Sequence, residues 1–178
     1  MKTTPKGITA LDLLITMALV ALLAVTGIPG LREYSLNQQM KSAIASLHAD
    51  LNLARNDAIS LNTTTIACPG STVTGCTGQS RWQPGWLVFV DLNGDRAWQQ
   101  TEPVLRTANE LENMTVRSSA SRHQVRFFPG GSAPGSNSSI IFCDQRGFRG
   151  GRKLVISNSG RIRRSKLNKG NEASCPVL

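Results

Sequence analysis

Near the C-terminus, Gly160 is followed by Arg161, Ile162 and Arg163, two arginines with one apolar residue between them. In an extended strand, Arg161 and Arg163 point to the same side while Ile162 turns into the core. The two guanidinium groups would stand about 6 to 7 Å apart, close to the phosphate spacing along one strand of nucleic acid. Each can donate a fork of hydrogen bonds to phosphate oxygens. Gly160 suits a turn that brings Arg152 and Lys153 of a preceding strand alongside. Arg164 and Lys166 alternate onto the opposite face and rank below. Arg146 and Arg149 flank Phe148 and extend the patch, although Phe148 is as readily a buried residue.

The charge around this motif is one-sided. From residue 145 onward the basic residues are Arg146, Arg149, Arg152, Lys153, Arg161, Arg163, Arg164, Lys166 and Lys169, against the single acid Glu172, so this segment holds +8 of the formal net charge of +9. Such an excess points to an acidic partner, either nucleic acid or an anionic membrane surface. Charge alone does not choose between them, and a solvated surface that keeps the protein soluble is the plain alternative.

Other residues offer less. Cys68, Cys76, Cys143 and Cys175 are an even number, for which two disulfides are the economical reading. No C-x-x-C pair is present, and His48 and His123 lie far from any cysteine, which disfavours zinc. Proximity pairs Cys68 with Cys76 and leaves Cys143 with Cys175, a bridge that would pin the basic tail to the head. The loop Asp91-Leu92-Asn93-Gly94-Asp95 begins like a calcium loop, but Gly94 precedes the third ligand, and Asn-Gly is a favoured hairpin turn. Gly130 to Ser136 lacks the Lys and helix of a phosphate-cradling loop and reads as a connection. Trp82, Trp86 and Trp98 surround one predicted hairpin and read as packing residues rather than a base-stacking platform. No nucleophile, base and orienting acid come together, so no catalysis is expected, and no metal or cofactor.

These residues need elements to hold them. The chain's 178 residues suffice for one domain and an appendage. Residues 1–7 are short and polar with Lys2 and Lys6, and an almost unbroken apolar run covers 13–28. No small-residue cleavage site follows that run; helix-compatible sequence continues, which argues against an ordinary signal peptide. Asp12 sits in the first turns of this apolar helix, where a carboxylate is costly without a partner. A kink is expected at Pro29. Beyond it Leu36, Met40, Ile44, Leu47, Leu51, Ala54 and Ala58 recur at steps of three and four, an apolar stripe with Arg32, Lys41, Asp50 and Asn52 elsewhere on the surface. His48 reads as a surface or boundary residue.

After Leu61 the pattern alternates, with strands predicted over 64–67, 85–91, 104–106, 114–117, 124–128, 139–143, 153–157 and 161–164. The class is therefore α+β, an antiparallel β head, in two small sheets, packed on the helix. Four segments follow: a leader, 1–7; a membrane and assembly half of the helix, 8–29; its amphipathic half, 30–61; and the head, 62–178.

The segment KGITALDLLITMALVALLAVTGIPGL resembles the class III leader and first helix of type IV pilins and pseudopilins: a Gly closing a basic leader, an acid five positions on, then an apolar helix broken by proline. Asp12 stands where that family usually has Glu, and Ile8 where it usually has Phe. The resemblance implies cleavage between Gly7 and Ile8 by a prepilin peptidase, methylation of the new amino terminus, and charge pairing of Asp12 with a neighbouring subunit's amino terminus. It also implies a single-pass inner-membrane anchor with a periplasmic head before assembly, and a place in a pilus, at its tip or elsewhere, beside other pilins afterwards. In the head, GWLVFVDLNGD, FCDQRGFRGGR and SGRIRRSK are similar to the GspH/FimT group of minor pilins and pseudopilins. Gly160-Arg161-Ile162-Arg163 matches the G-R-x-R motif of FimT-type minor pilins, which implies sequence-independent DNA binding for natural transformation. A structural minor pilin or type II secretion pseudopilin, acting in filament assembly without DNA, is the rival expectation.

Overall fold

The computed structural model of the chain describes Gly7, residues 9–167 and Cys175. Ile8, the leader lysines Lys2 and Lys6, and the tail residues Lys169 and Glu172 lie outside the described residues. Helix α1 runs from Ala10–Ser60 as one element of 51 residues, through Pro29. The chain divides into two compact units, Met1–Gln39 and Met40–Leu178.

In the first unit, α1 begins at a reciprocal cap. The Thr9 amide donates to Asp12 Oδ2 at 3.1 Å and the Asp12 amide donates back to Thr9 Oγ1 at 3.3 Å, the two-way pattern of a capping box with Asp in the Glu position. The Thr9 hydroxyl also donates to Asp12 Oδ2 at 2.8 Å. Asp12 thus has a local partner at the start of the apolar part of the helix. Leu13, Leu14, Met17, Val20, Leu22 and Leu23 around the helix are all exposed, and the helix is long and apolar enough to cross a membrane.

In the second unit the stripe Met40, Ile44, Leu47, Leu51, Ala54 and Ala58 is buried as its spacing predicts. Asp50, expected on the open surface, is instead half-buried and accepts a 2.8 Å hydrogen bond from the Trp86 indole. The stripe packs on two antiparallel sheets. The first joins β1 (Thr64–Ser71), the short β2 (Gly75–Cys76), β3 (Trp86–Asp91) and β4 (Val104–Ala108) in the order β2-β1-β3-β4, with β6 (Val125–Phe127) also on β1. All six residues of β3 are buried, because Trp86 and Val88 face the helix-side core while Leu87 and Phe89 face a second cluster with Cys68, Cys76 and Trp98. A strand covered on both sides reads as a continuous apolar run. Trp82 and Trp86 are core residues, as their packing assignment requires.

The second sheet has the order β5-β7-β8-β9, built from β5 (Met114–Arg117), β7 (Ser138–Asp144), β8 (Arg152–Ile156) and β9 (Ile162–Lys166). Its inward residues, Met114, Val116, Ile140, Phe142, Leu154 and Ile156, complete the core around the helix. Disulfides join Cys68 to Cys76 and Cys143 to Cys175. The second bridge lies in a small cluster with Leu167, against which Phe148 packs, half-buried.

Candidate nucleic-acid interface

Strand β9 is the outer edge of its sheet, bonded only to β8 among the named strands. The register pairs Ile156 with Ile162, Val155 with Arg163, Leu154 with Arg164, Lys153 with Ser165 and Arg152 with Lys166. Directly paired residues share a face, so the inward set is Leu154, Ile156, Ile162, Arg152, Arg164 and Lys166. The outward set is Lys153, Val155, Arg163 and Ser165. Ile162 is packed against the core, as the alternation predicts.

Arg161 stands one residue before the strand, its carbonyl accepting the Ser157 amide at 3.0 Å where the hairpin closes. Arg161 and Arg163 are both exposed. Among the described residues neither side chain enters an ion pair or a side-chain hydrogen bond. Lys153, opposite Ser165, is the diagonal neighbour of Arg163 on the same face.

Arg152 is a correction. The register turns it to the inward face, away from Arg163 and Lys153, and its Nη1 donates to the carbonyls of Gly151 at 2.8 Å and Gly150 at 3.2 Å. The Arg146 guanidinium is engaged within the chain: Nη2 donates to Asp144 Oδ2 at 2.6 Å and Nε lies 3.1 Å from each carboxylate oxygen. Burial pushes the Asp144 carboxyl up, but the hydrogen bonds and charge of Arg146, with the charge of Arg152, outweigh it and hold the pKa below the usual value. Arg149 is exposed on the 3-10 turn Gly147–Arg149, apart from the hairpin in sequence and on no strand of the sheet. Arg164 lies 3.5 Å from the His48 ring on α1, and Lys166 is exposed on the same inward side.

The hairpin is seated by residues whose part the sequence does not mark. Gly160 has φ +76°, and a Cβ there would fall 1.9 Å from the Gly131 carbonyl oxygen. That same oxygen accepts from Arg55 Nε of α1 at 2.8 Å. The Ala133 amide donates to the Asn158 carbonyl at 2.8 Å beside it. The Gly130 to Ser136 loop, which reads as a mere connection, thus carries the turn of the basic hairpin.

The would-be calcium loop is closed on itself. Asp91 Oδ1 accepts the Gly94 amide at 2.9 Å, and Asp95 Oδ1 the Ala97 amide at 2.8 Å. Buried Glu102 accepts the amides of Leu92 at 2.9 Å and Gln99 at 3.1 Å. These oxygens are used to close the turn on its own backbone, and among the described residues no group of three or more His, Cys, Asp or Glu is arranged to hold a metal.

A helix that is apolar at its start and amphipathic beyond, with two antiparallel sheets on its second part, defines a pilin-type subunit. The chain belongs to the GspH family, whose model, described as type II transport protein GspH, matches residues 43–160. Its structure is similar to the type IV minor pilin FimU of Pseudomonas aeruginosa, with a TM-score of 0.57 and 22% identity over 80% of this chain and 96% of that one. A second crystal form of FimU gives 0.56 and 23%, covering 76% and 96%. It is also similar to the minor pseudopilin EpsH from the type 2 secretion system of Vibrio cholerae, with a TM-score of 0.51 and 12% identity over 72% of this chain and 97% of that one. At such identities the likeness is one of fold. Comparison with curated protein sequences finds no match. The family match ends at Gly160, so Arg161 and Arg163 lie beyond it.

Proposed function

We propose that this chain is a minor type IV pilin that captures DNA without regard to sequence, through phosphate contacts from Arg161 and Arg163 with Lys153 beside them, for uptake in natural transformation. The single observation that carries this is the placement of Arg161 and Arg163, exposed and without a side-chain partner among the described residues, at an edge strand whose inward residues alone serve the core. Contacts of this kind neutralise phosphates and release counterions, so binding falls steeply with salt. Processing between Gly7 and Ile8 by a prepilin peptidase, and pairing of Asp12 with a neighbouring pilin's amino terminus, belong to the same reading. So does an inner-membrane anchor before assembly.

The test is fluorescence anisotropy of labelled duplex with the full chain in uncharged detergent over a salt series, beside Arg161→Ala/Arg163→Ala. The variant is expected to lower the slope of log affinity against log salt by about two. A folded wild-type chain that binds no duplex at low salt overturns the reading. A purely structural role in filament assembly is the second reading, favoured by a family match that covers residues 43–160 and stops before the paired arginines.

A further inference from the structure

A row of residues crosses the outward face of the second sheet in one register. Arg81 is bridged to Arg117, Arg117 pairs with Ile141, Ile141 with Lys153 and Lys153 with Ser165. Paired residues share a face, so Arg81, Arg117 and Lys153 stand in line on the side that carries Arg163. Arg81 and Arg117 are exposed, and among the described residues neither enters an ion pair or side-chain hydrogen bond. The four strands of this sheet contain one acid, Asp144, which faces inward and is held by Arg146. Ile141 packs beside the Cys143–Cys175 bridge, which bounds the row on one flank.

Like charges directly opposite each other on paired strands are destabilising. Arg81 and Arg117 are such a pair, with no carboxylate between them among the described residues, an arrangement that an external polyanion would relieve. Adjacent strands lie about 4.8 Å apart, so Arg117 and Lys153 are about 10 Å apart, and the row reaches β9 over about 19 Å. Duplex DNA advances 3.4 Å per base pair, and that length takes up about six base pairs.

We infer that Arg81 and Arg117 are phosphate-binding residues, extending the contact from the β8–β9 hairpin across the strands as one track for a nucleic-acid backbone. This rests on the DNA reading above. A line of cations fits a linear polyanion, whereas a flat anionic membrane surface attracts basic residues by their number and does not select a line; Ile141 and Val155 on this face are half-buried and add no exposed apolar anchor. The signal is invisible in the sequence because Arg81, Arg117 and Lys153 are brought into line only by strand register.

The experiment is the same anisotropy titration of the full chain with Arg81→Ala/Arg117→Ala. The expected result is a salt slope lower by about two, with the slope kept in Arg81→Lys/Arg117→Lys. If the alanine pair misfolds, Arg117→Gln alone is read for a slope lower by about one. A wild-type slope in the folded alanine variant, with the slope still falling in Arg161→Ala/Arg163→Ala, overturns the track and leaves the hairpin site standing. No duplex binding by the wild type overturns both. Loss of binding to vesicles of anionic phospholipid with duplex binding intact assigns the row to a lipid surface and also overturns the inference.

Discussion

Gly160→Ala probes the seat of the hairpin, and Gly94→Ala is its control. The two glycines have nearly equal backbone angles, φ +76° and +77°, so both substitutions carry the left-handed penalty of about 1 to 2 kcal/mol. They differ in what the new methyl meets. At Gly94 nothing lies within 4 Å, whereas at Gly160 the Cβ would sit 1.9 Å from the Gly131 oxygen and 3.0 Å from Arg55 Nε. The carbonyl must retreat by more than 1 Å to reach even the 3.0 Å that Cβ contacts respect. That movement breaks its hydrogen bond from Arg55, a bond to a charged group worth about 1.5 to 3 kcal/mol. Gly160→Ala should therefore cost about 2.5 to 5 kcal/mol in all. The gap between the variants, at 2 to 4 °C per kcal/mol for a protein of this size, is roughly 3 to 12 °C in Tm. Thermal unfolding followed by fluorescence of the buried Trp82 and Trp86 reads it directly. Equal Tm values for the two variants would refute the seating of Gly160 on Gly131 and Arg55.

Glu102→Ala leaves the amides of Leu92 and Gln99 without their acceptor and should cost about 2 to 4 kcal/mol in urea unfolding. A shift of the midpoint no larger than that of a surface substitution would contradict the closed-loop account. His48 has its pKa lowered by burial and by Arg164, against a hydrogen bond with the Ile162 backbone that raises it. The unfolded state therefore binds the proton first, and stability is full above the ordinary His value of about 6.5 and declines as pH falls through it toward the folded value. His48→Gln should flatten the stability profile in that window, and a profile identical to wild type would remove His48 as its cause.

What was legible in the sequence follows from which physical signals are local. The helix stripe from Met40 to Ala58 was readable because burial at 3.6 residues per turn writes itself into residue type. Ile162 read correctly as the inward residue of its pair for the same reason, with period two. The predicted strands fell within a few residues of those observed, but β2 was missed, since Gly75 and Cys76 carry no alternation and pair with the end of β1. Arg152 was misplaced because neighbouring residues on a strand face opposite ways, and only the register says which of Arg152 and Lys153 joins Arg163. Nothing local marks Arg55 as the donor to Gly131, 76 positions away.

The family match and the charge answer different questions, and the division between them falls along the sheet. The inward residues Leu154, Ile156 and Ile162 are fixed by the core they fill, and any pilin-type head needs apolar residues there. The exposed outward positions of the sheet and its bridged neighbour make no such demand: Arg81, Arg117 and Arg163 stand in water, and a sheet face there tolerates polar uncharged residues as readily as charged ones. Four cations on that face, one pair directly opposed, run against the stability of the isolated subunit. A fold selected only for filament assembly has reason to place acids among them, as it does with Asp144 beneath Arg146. The unpaired row is therefore the part of the molecule that the fold does not explain, and function is to be argued from such sites rather than from the scaffold that presents them.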